Sequence, residues 1–101
     1  MSRLVPKRAY GNTGAQLSIL GFGGIVVMNT DQSHADRVVA EAVERGVNYF
    51  DVAPAYGNAE EKLGPALEPH RKDIFLACKT GKRNKAEALE ELAGSLERLR
   101  T

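Results

Sequence analysis

Three side chains in this chain have the types and spacing needed to hold and transfer a proton: Asp51, Tyr56 and Lys79. Asp51 lies in an apolar run, 47–53, where burial of a carboxylate costs free energy. Such a residue is expected to have a charged partner or a role in chemistry. Lys79 lies near the end of the next strand-like run, 74–80, and is the predicted partner of Asp51. A phenol beside an ammonium group can act as a general acid, because the positive charge makes the phenol easier to ionise.

Strand alternation predicts that Asp51 and Lys79 share one face of a sheet. Tyr56 follows Asp51 after a turn, where it can fold back over the strand ends. One alternative is a structural ion pair that only neutralises two buried charges. The carboxyl ends of neighbouring parallel strands are where such sheets build their active sites, which favours a functional site.

Alternating strands and helices must position these side chains. The sequence predicts a hairpin over 8–19, strands over 19–25, 47–53 and 74–80, and helices beginning near Ser33, Asn58 and Asn84. Each helix start has a polar residue followed three positions later by an acid, which is typical of a capped N-terminus. Gly46 is a predicted C-terminal cap, and Pro65 predicts a kinked or short, broken second helix. The order indicates a parallel sheet, either doubly wound and open or part of an eight-fold barrel.

Two further expectations concern burial. The last helix carries an apolar stripe that predicts core packing; its members are Ala86, Leu89, Leu92, Ala93, Leu96 and Leu99. Cys78 reads as a small buried hydrophobe. As the single cysteine it cannot form an internal disulfide, and a reducing cytoplasm is the expected location. Residues 69–73 read as a polar loop.

Composition excludes several classes of function. A length of 101 residues suits one small domain, 1–101. The net charge of +1, from 14 basic and 13 acidic residues, gives no case for nucleic acid or an anionic membrane as partner. No apolar run approaches the length of a membrane span. We expect no metal site.

One pattern closely resembles the signature of the aldo-keto reductases: Gly46-x4-Asp51-x-Ala53-x2-Tyr56-Gly57-x2-Glu60-x2-Leu63-Gly64. The runs Leu20-Gly21-Phe22-Gly23-Gly24 and Ala77-Cys78-Lys79-Thr80 are similar to that family in the same order and spacing. The resemblance covers nearly the whole chain. It implies an α/β fold, namely the N-terminal hairpin and the first three βα units (19–101) of a (β/α)8 TIM barrel, ending before the fourth strand.

The resemblance also implies a function, the NADPH-dependent reduction of small-molecule aldehydes or ketones through an Asp, Tyr, Lys and His tetrad. At the positions that match the family's motif, Asp51 is the orienting residue and Tyr56 donates the proton. Lys79 makes Tyr56 more acidic. The family's backbone approaches the nicotinamide end of the cofactor where the first barrel strand ends. The cofactor-binding positions implied in this way are Gly23, Gly24, Ile25 and Asp51.

The fourth member of the tetrad, a His at the end of the fourth strand, has no counterpart before Thr101. His34, in a helix, and His70, in a loop that precedes a strand, read as surface residues. We therefore expect the chain by itself to be an inactive fragment of a reductase. The alternatives are a module that self-associates through its open sheet edges and a non-catalytic regulatory relative.

Two other motifs favour different sites only weakly. The glycines of 21–24 are not followed at once by a helix, as a dinucleotide-binding fingerprint requires. The basic run 79–85 could attract phosphate at a helix N-terminus, although a solvated loop is the simpler interpretation.

Overall fold

The computed structural model describes residues 3–101, in which two small sheets and three α-helices follow one another along the chain. The strands are β1 (Lys7–Ala9), β2 (Gln16–Ser18), β3 (Phe22–Gly23), β4 (Tyr49–Asp51) and β5 (Phe75–Ala77). The helices are α1 (Gln32–Glu44), α2 (Ala59–Leu67) and α3 (Lys85–Leu99), with 3-10 helices at Gly24–Val27 and Glu68–Asp73. Among these residues, no helix has the length and apolar character needed to cross a membrane.

The predicted hairpin is present, with β1 and β2 paired antiparallel. Its turn begins where the Tyr10 N–H donates to the Ala15 carbonyl and includes Gly11 and Gly14, both at positive φ. The hairpin is tied to the main sheet by Asn48, just before β4. The Asn48 side chain accepts from the Ser18 N–H at 2.7 Å and donates to the Gln16 carbonyl at 2.8 Å.

The main sheet is parallel, in the order β3-β4-β5, as the alternation of strands and helices predicts. Its register aligns Gly23 with Asp51 and Asp51 with Ala77, so the three strands end at the same level. One further bond, from the Val52 N–H to the Ala77 carbonyl at 3.0 Å, extends the pairing past the end of β4. This edge is where the candidate site lies.

Each strand of the main sheet is shorter than its apolar run suggests. The largest difference is in the first, since only Phe22–Gly23 pairs and the chain then turns into the 3-10 helix Gly24–Val27. The structure shows why Gly24 suits this turn. A Cβ on it would come within 2.8 Å of the Asp51 carbonyl and of the Val52 side chain, so a larger residue would push β3 and β4 apart.

Helices pack on one face of the sheet and form the core. Phe50 and Val52 point to this face and are fully buried, as strand alternation predicts. Leu63 and Leu67 of α2 and Val39 of α1 complete its centre. Because helices cover only this face, the opposite face keeps partly exposed side chains.

The predicted helix ends are right in part. Gly46 follows α1 with a φ of +97° and donates to the Val43 carbonyl, so it ends the helix as predicted. Asn84 caps α3 by accepting from the Glu87 N–H at 2.9 Å. The expected Ser33 cap is wrong, since α1 begins at Gln32 after Asp31 and has no side-chain cap bond. Asn58 precedes α2, but its side chain accepts from the Asn29 N–H instead of capping.

The helix α2 is short and contains Pro65, as predicted. It passes directly into the 3-10 helix Glu68–Asp73, where the sequence predicts a loop. Pro69 suits this position because the first turn of a helix does not need its missing N–H. Gly64 brings α2 against α3, since a Cβ there would lie 2.2 Å from the Arg98 carbonyl oxygen.

The predicted core stripe of α3 is wrong for most of its length. Leu99 is buried, but Leu89, Leu92 and Leu96 are 55%, 48% and 44% exposed. The structure shows why: α3 contacts α2 near its C-terminal end, at Arg98 and Leu99, whereas the sheet stops at β5. The apolar pattern correctly predicts the helix, but it cannot tell which neighbour covers it.

Gly64→Ala should destabilise the chain. The new methyl group would collide with the backbone of α3, and overpacking of this kind costs about 1–3 kcal/mol. Urea unfolding measures the loss. The matched control is Gly81→Ala, where no heavy atom lies within 4 Å of a built Cβ, and which should stay within about 0.5 kcal/mol of wild type. Equal stability of Gly64→Ala and wild type would show that the helices are not in this close contact.

Candidate active site

The structure brings Asp51, Tyr56 and Lys79 together at the carboxyl edge of the sheet. The Lys79 Nζ lies 2.7 Å from Asp51 Oδ2 and 3.4 Å from the Tyr56 hydroxyl oxygen. It also lies 5.3 Å from the centre of the Tyr56 ring. The contact predicted from the sequence is therefore present, and one ammonium group joins the carboxylate to the phenol.

Local backbone structure explains how Tyr56 reaches Lys79. The Tyr56 N–H donates to the Ala53 carbonyl at 3.1 Å, and the Ala59 N–H donates to the Tyr56 carbonyl at 2.9 Å. These two turns fold the chain back after β4 and lead into α2. Gly57, between them, has a φ of +55°, a conformation that glycine adopts without strain.

The ion pair is accessible to solvent. The side chains of Lys79 and Asp51 are 46% and 39% exposed. The Asp51 carboxylate, followed by the hydrogen bond to Tyr56, raises the pKa of Lys79 above its ordinary value. Lys79 therefore stays charged at neutral pH. The expectation that Asp51 is a buried carboxylate is too strong, because the face of the sheet on which it lies is uncovered.

A cleft of about 490 Å³ opens beside this group. Its wall is formed by the turn 53–56 and the loop 79–82 with Glu91, so Tyr56 and Lys79 both reach into it. The Thr80 hydroxyl donates to Glu91 and accepts from the Lys82 N–H, which shapes the loop. A second cleft, of about 530 Å³, lies against α3 and is lined mainly by charged side chains away from Asp51 and Tyr56. The cleft of about 490 Å³ is the candidate active site, because Tyr56 and Lys79 line it.

The positions expected to meet a cofactor separate into two kinds. Gly23 pairs with Asp51 in the sheet and has open space where a Cβ would stand, and Ile25 is 50% exposed. Gly24 is buried against β4, where a Cβ would meet the Asp51 carbonyl and the Val52 side chain. Gly23, Ile25 and Asp51 therefore leave room for a ligand, and Gly24 sets the spacing beneath them.

Neither histidine belongs to this group. His34 is exposed on α1, and His70 lies in the 3-10 helix that precedes β5. In the part of the chain that the structure describes, neither forms a hydrogen bond to Asp51, Tyr56 or Lys79. The prediction that they do not replace a tetrad His is consistent with these positions.

Glu60 and Cys78 were not predicted to interact. Glu60, on α2, is 2% exposed, and its Oε1 accepts from Arg98 Nε at 2.7 Å. Its Oε2 lies 3.3 Å from Cys78 Sγ. A signal was present in the sequence, since Glu60 falls on the apolar stripe of α2 with Leu63 and Leu67.

The expectation that Cys78 is a buried hydrophobe is wrong. The residue as a whole is exposed, and its sulfur is turned toward Glu60. Burial of the sulfur raises the pKa of the Cys78 thiol, and the Glu60 carboxylate raises it further. The nearby Ser95 hydroxyl lowers the pKa of the Cys78 thiol. Its geometry relative to Cys78 falls short of a hydrogen bond. The thiol therefore stays protonated and can donate to Glu60.

Comparison with known proteins extends this description. The model of a family described as the aldo/keto reductase family matches residues 19–101. The chain is 35% identical to the uncharacterized oxidoreductase YqkF of Bacillus subtilis strain 168, over 94% of this chain and 35% of that protein. It is 39% identical to L-galactose dehydrogenase of Arabidopsis thaliana, over 74% of this chain and 26% of that protein.

Among solved structures, the chain resembles the holo form of aldo-keto reductase AKR11C1 from Bacillus halodurans, with a TM-score of 0.79 and 34% identity. The match covers 96% of this chain and 37% of that structure. The chain thus spans about a third of the length of the relatives that it matches. The likeness confirms the prediction of an α/β fold corresponding to part of a TIM barrel.

Lys79 should stabilise the fold at neutral pH and lose this effect in alkali. Its pKa is higher in the folded chain than in the unfolded one. The stabilisation is therefore complete below the pKa of an unfolded lysine, about 10.4. It is lost as the pH rises through the folded-state pKa. Because the pair is partly exposed, the effect should not exceed about 1 kcal/mol.

Urea unfolding of the wild-type chain and Lys79→Met across this pH range checks the prediction. The stability difference between them should shrink in alkali. Lys82→Met, in the same loop, is the matched control and should change stability at neutral pH less than Lys79→Met does. A difference for Lys79→Met that grew with pH would contradict the assigned ion pair.

Proposed function

The chain belongs to the aldo/keto reductase family, and we propose that it forms the Asp51, Tyr56 and Lys79 part of a site that reduces a carbonyl group with NADPH. The observation that carries this proposal is the hydrogen bond from Lys79 Nζ to the Tyr56 hydroxyl, with Asp51 on the other side of the ammonium. The substrates proposed are small aldehydes or ketones, which fit the adjoining cleft.

The direction of the hydrogen bond makes Tyr56 the proton donor. An ammonium group has donors and no acceptor, so Lys79 must donate to the Tyr56 oxygen. The phenol proton is then left for another acceptor, such as a carbonyl oxygen in the cleft. The positive charge of Lys79 also stabilises the phenolate that forms when this proton leaves. Asp51 orients Lys79 and favours its charged form.

The exposed edge beside Asp51 suits the nicotinamide end of a cofactor. Gly23 has open space above its backbone, and Ile25 and Asp51 are exposed enough to contact a flat ring. NADPH, when bound, supplies the hydride. The family generally uses NAD(P)H, and the choice of NADPH is our proposal. We also propose a cytoplasmic location, since a free cysteine such as Cys78 persists in a reducing compartment.

Tyr56→Phe should abolish proton donation while keeping the shape of the site. A positioned general acid contributes about 10²–10⁴-fold to the rate, so kcat for carbonyl reduction should fall by that factor. Residues 19–101 match the family model but include no counterpart of the tetrad His, which the assay has to supply. The assay therefore uses the chain joined to the remaining part of the Bacillus halodurans reductase, of which it matches 37%.

Loss of NADPH absorbance in the presence of an aldehyde gives the rate, and NADH in its place measures cofactor preference. Tyr10→Phe is the matched control, because Tyr10 lies near Phe75 and away from Lys79. It should leave kcat unchanged. If Tyr56→Phe kept the full rate, Tyr56 would not be the acid, and the proposed role of the site would fail.

A second proposal concerns the chain as a separate molecule. Within residues 3–101, β5 pairs with a strand on one side only, and Leu89, Leu92 and Leu96 form a half-exposed apolar stripe on α3. An unpaired strand edge next to apolar surface favours pairing with another chain. We propose that two copies associate through this edge and stripe.

Sedimentation or light scattering of the purified chain tests self-association. Leu92→Glu should shift the chain toward monomer, because it places a charge in the apolar contact. Glu90→Gln, an exposed change on the same helix, is the control and should leave the association unchanged. A well-folded wild-type monomer at all concentrations would contradict this proposal.

A further inference from the structure

Glu60 links the two elements that carry Tyr56 and Lys79. It lies in the first turn of α2, which begins three residues after Tyr56. Its side chain reaches Cys78, the residue before Lys79. The carboxylate thus spans from the helix that follows the phenol to the strand end that precedes the ammonium. The signature pattern contains Glu60, but the proposed chemistry gives it no role.

The geometry of this contact is closely fixed. Glu60 is 2% exposed, so its carboxylate has exchanged water for protein partners. Arg98 Nε donates to one oxygen at 2.7 Å, and the Cys78 thiol lies 3.3 Å from the other. A buried carboxylate is strongly tied to such partners, because an unmet charge away from water is costly. The carboxylate cannot move without losing one of these bonds.

The contact between Glu60 and Cys78 affects Lys79 because the side chains of Cys78 and Lys79 lie on opposite sides of the chain. Successive side chains of an extended segment point in opposite directions. Cys78 is turned toward α2 and α3, and Lys79 is turned toward Asp51 and Tyr56. Fixing the Cys78 sulfur on one side therefore fixes the starting point of the Lys79 side chain on the other. This matters because β5 has ended at Ala77 and Lys79 lies beyond the sheet hydrogen bonds.

We propose that Glu60 is a positioning residue, which sets the distance between Lys79 and its two partners by holding Cys78 and Arg98. The importance of Glu60 for catalysis rests on the function proposed above, whereas its contacts with Cys78 and Arg98 do not. The raised pKa of the Cys78 thiol supports the contact, because a protonated thiol is the form that donates to a carboxylate.

The test reads the state of Lys79 directly and needs no activity. The full chain is labelled with ¹³C at lysine Cε and titrated by NMR, with Lys79→Met used to assign the signal. In wild type, the Lys79 midpoint should lie above the ordinary lysine value of about 10.4. In Glu60→Gln this midpoint should fall toward that ordinary value, because Lys79 loses its place beside Asp51. Glu61→Gln, an exposed neighbour on α2, is the matched control and should leave it unchanged.

Cys78 variants keep the test decisive if Glu60→Gln fails to fold. Cys78→Ala removes the link and should lower the Lys79 midpoint. Cys78→Ser keeps a donor to Glu60 and should preserve it. Iodoacetamide provides a second measurement, since loss of the Glu60 carboxylate should lower the pKa of the Cys78 thiol and speed its alkylation in Glu60→Gln relative to wild type.

A folded Glu60→Gln or Cys78→Ala chain with an unchanged Lys79 midpoint would overturn the positioning role. That result would leave the proposed reductase function intact, because Tyr56→Phe tests the function separately. Conversely, a lowered Lys79 midpoint together with an active Tyr56→Phe protein would support the link and reject the assigned chemistry.

Discussion

The shared level at which three parallel strands end is the constraint on which the site depends. Gly23, Asp51 and Ala77 stand side by side in the sheet, and the bond from the Val52 N–H to the Ala77 carbonyl keeps β4 and β5 aligned just past their ends. A slip of one residue would turn Asp51 to the face packed by helices. The buried Phe50 and Val52 prevent such a slip, since they would then be exposed. The core thus fixes the position of the carboxylate.

Much of this arrangement could be predicted because it depends on short-range rules. Alternation assigned the faces of β4, and the type and spacing of Asp51, Tyr56 and Lys79 predicted their meeting. The preference of glycine for positive φ correctly predicted that α1 ends just before Gly46. The predictions that failed concern burial, which depends on neighbouring elements that sequence periodicity does not identify. The stripe Leu89, Leu92 and Leu96 reads as core in any amphipathic helix, yet here the sheet stops before it.

Other differences arise where a residue has two possible partners. Asn58 could cap α2, but its side chain instead accepts from the Asn29 N–H, 29 positions earlier in the chain. Cys78 could pack as a hydrophobe, but a buried carboxylate lies within reach of its sulfur. Glycine is required at position 24 by the neighbouring strand, since a Cβ there would meet the Asp51 carbonyl and the Val52 side chain. In each case the choice is made by a distant segment, which local sequence reasoning cannot place.

The order of the strands has a consequence for how the chain folds during synthesis. Every pairing joins elements that follow one another, β1 with β2, then β3 with β4, then β4 with β5. Among the described strands, none is inserted between two that come earlier in the chain. The sheet can therefore grow one strand at a time as the chain is made, and each new strand meets an edge already formed. Among the described residues, the two outer edges of this sheet lie at its first and its last strand, β3 and β5.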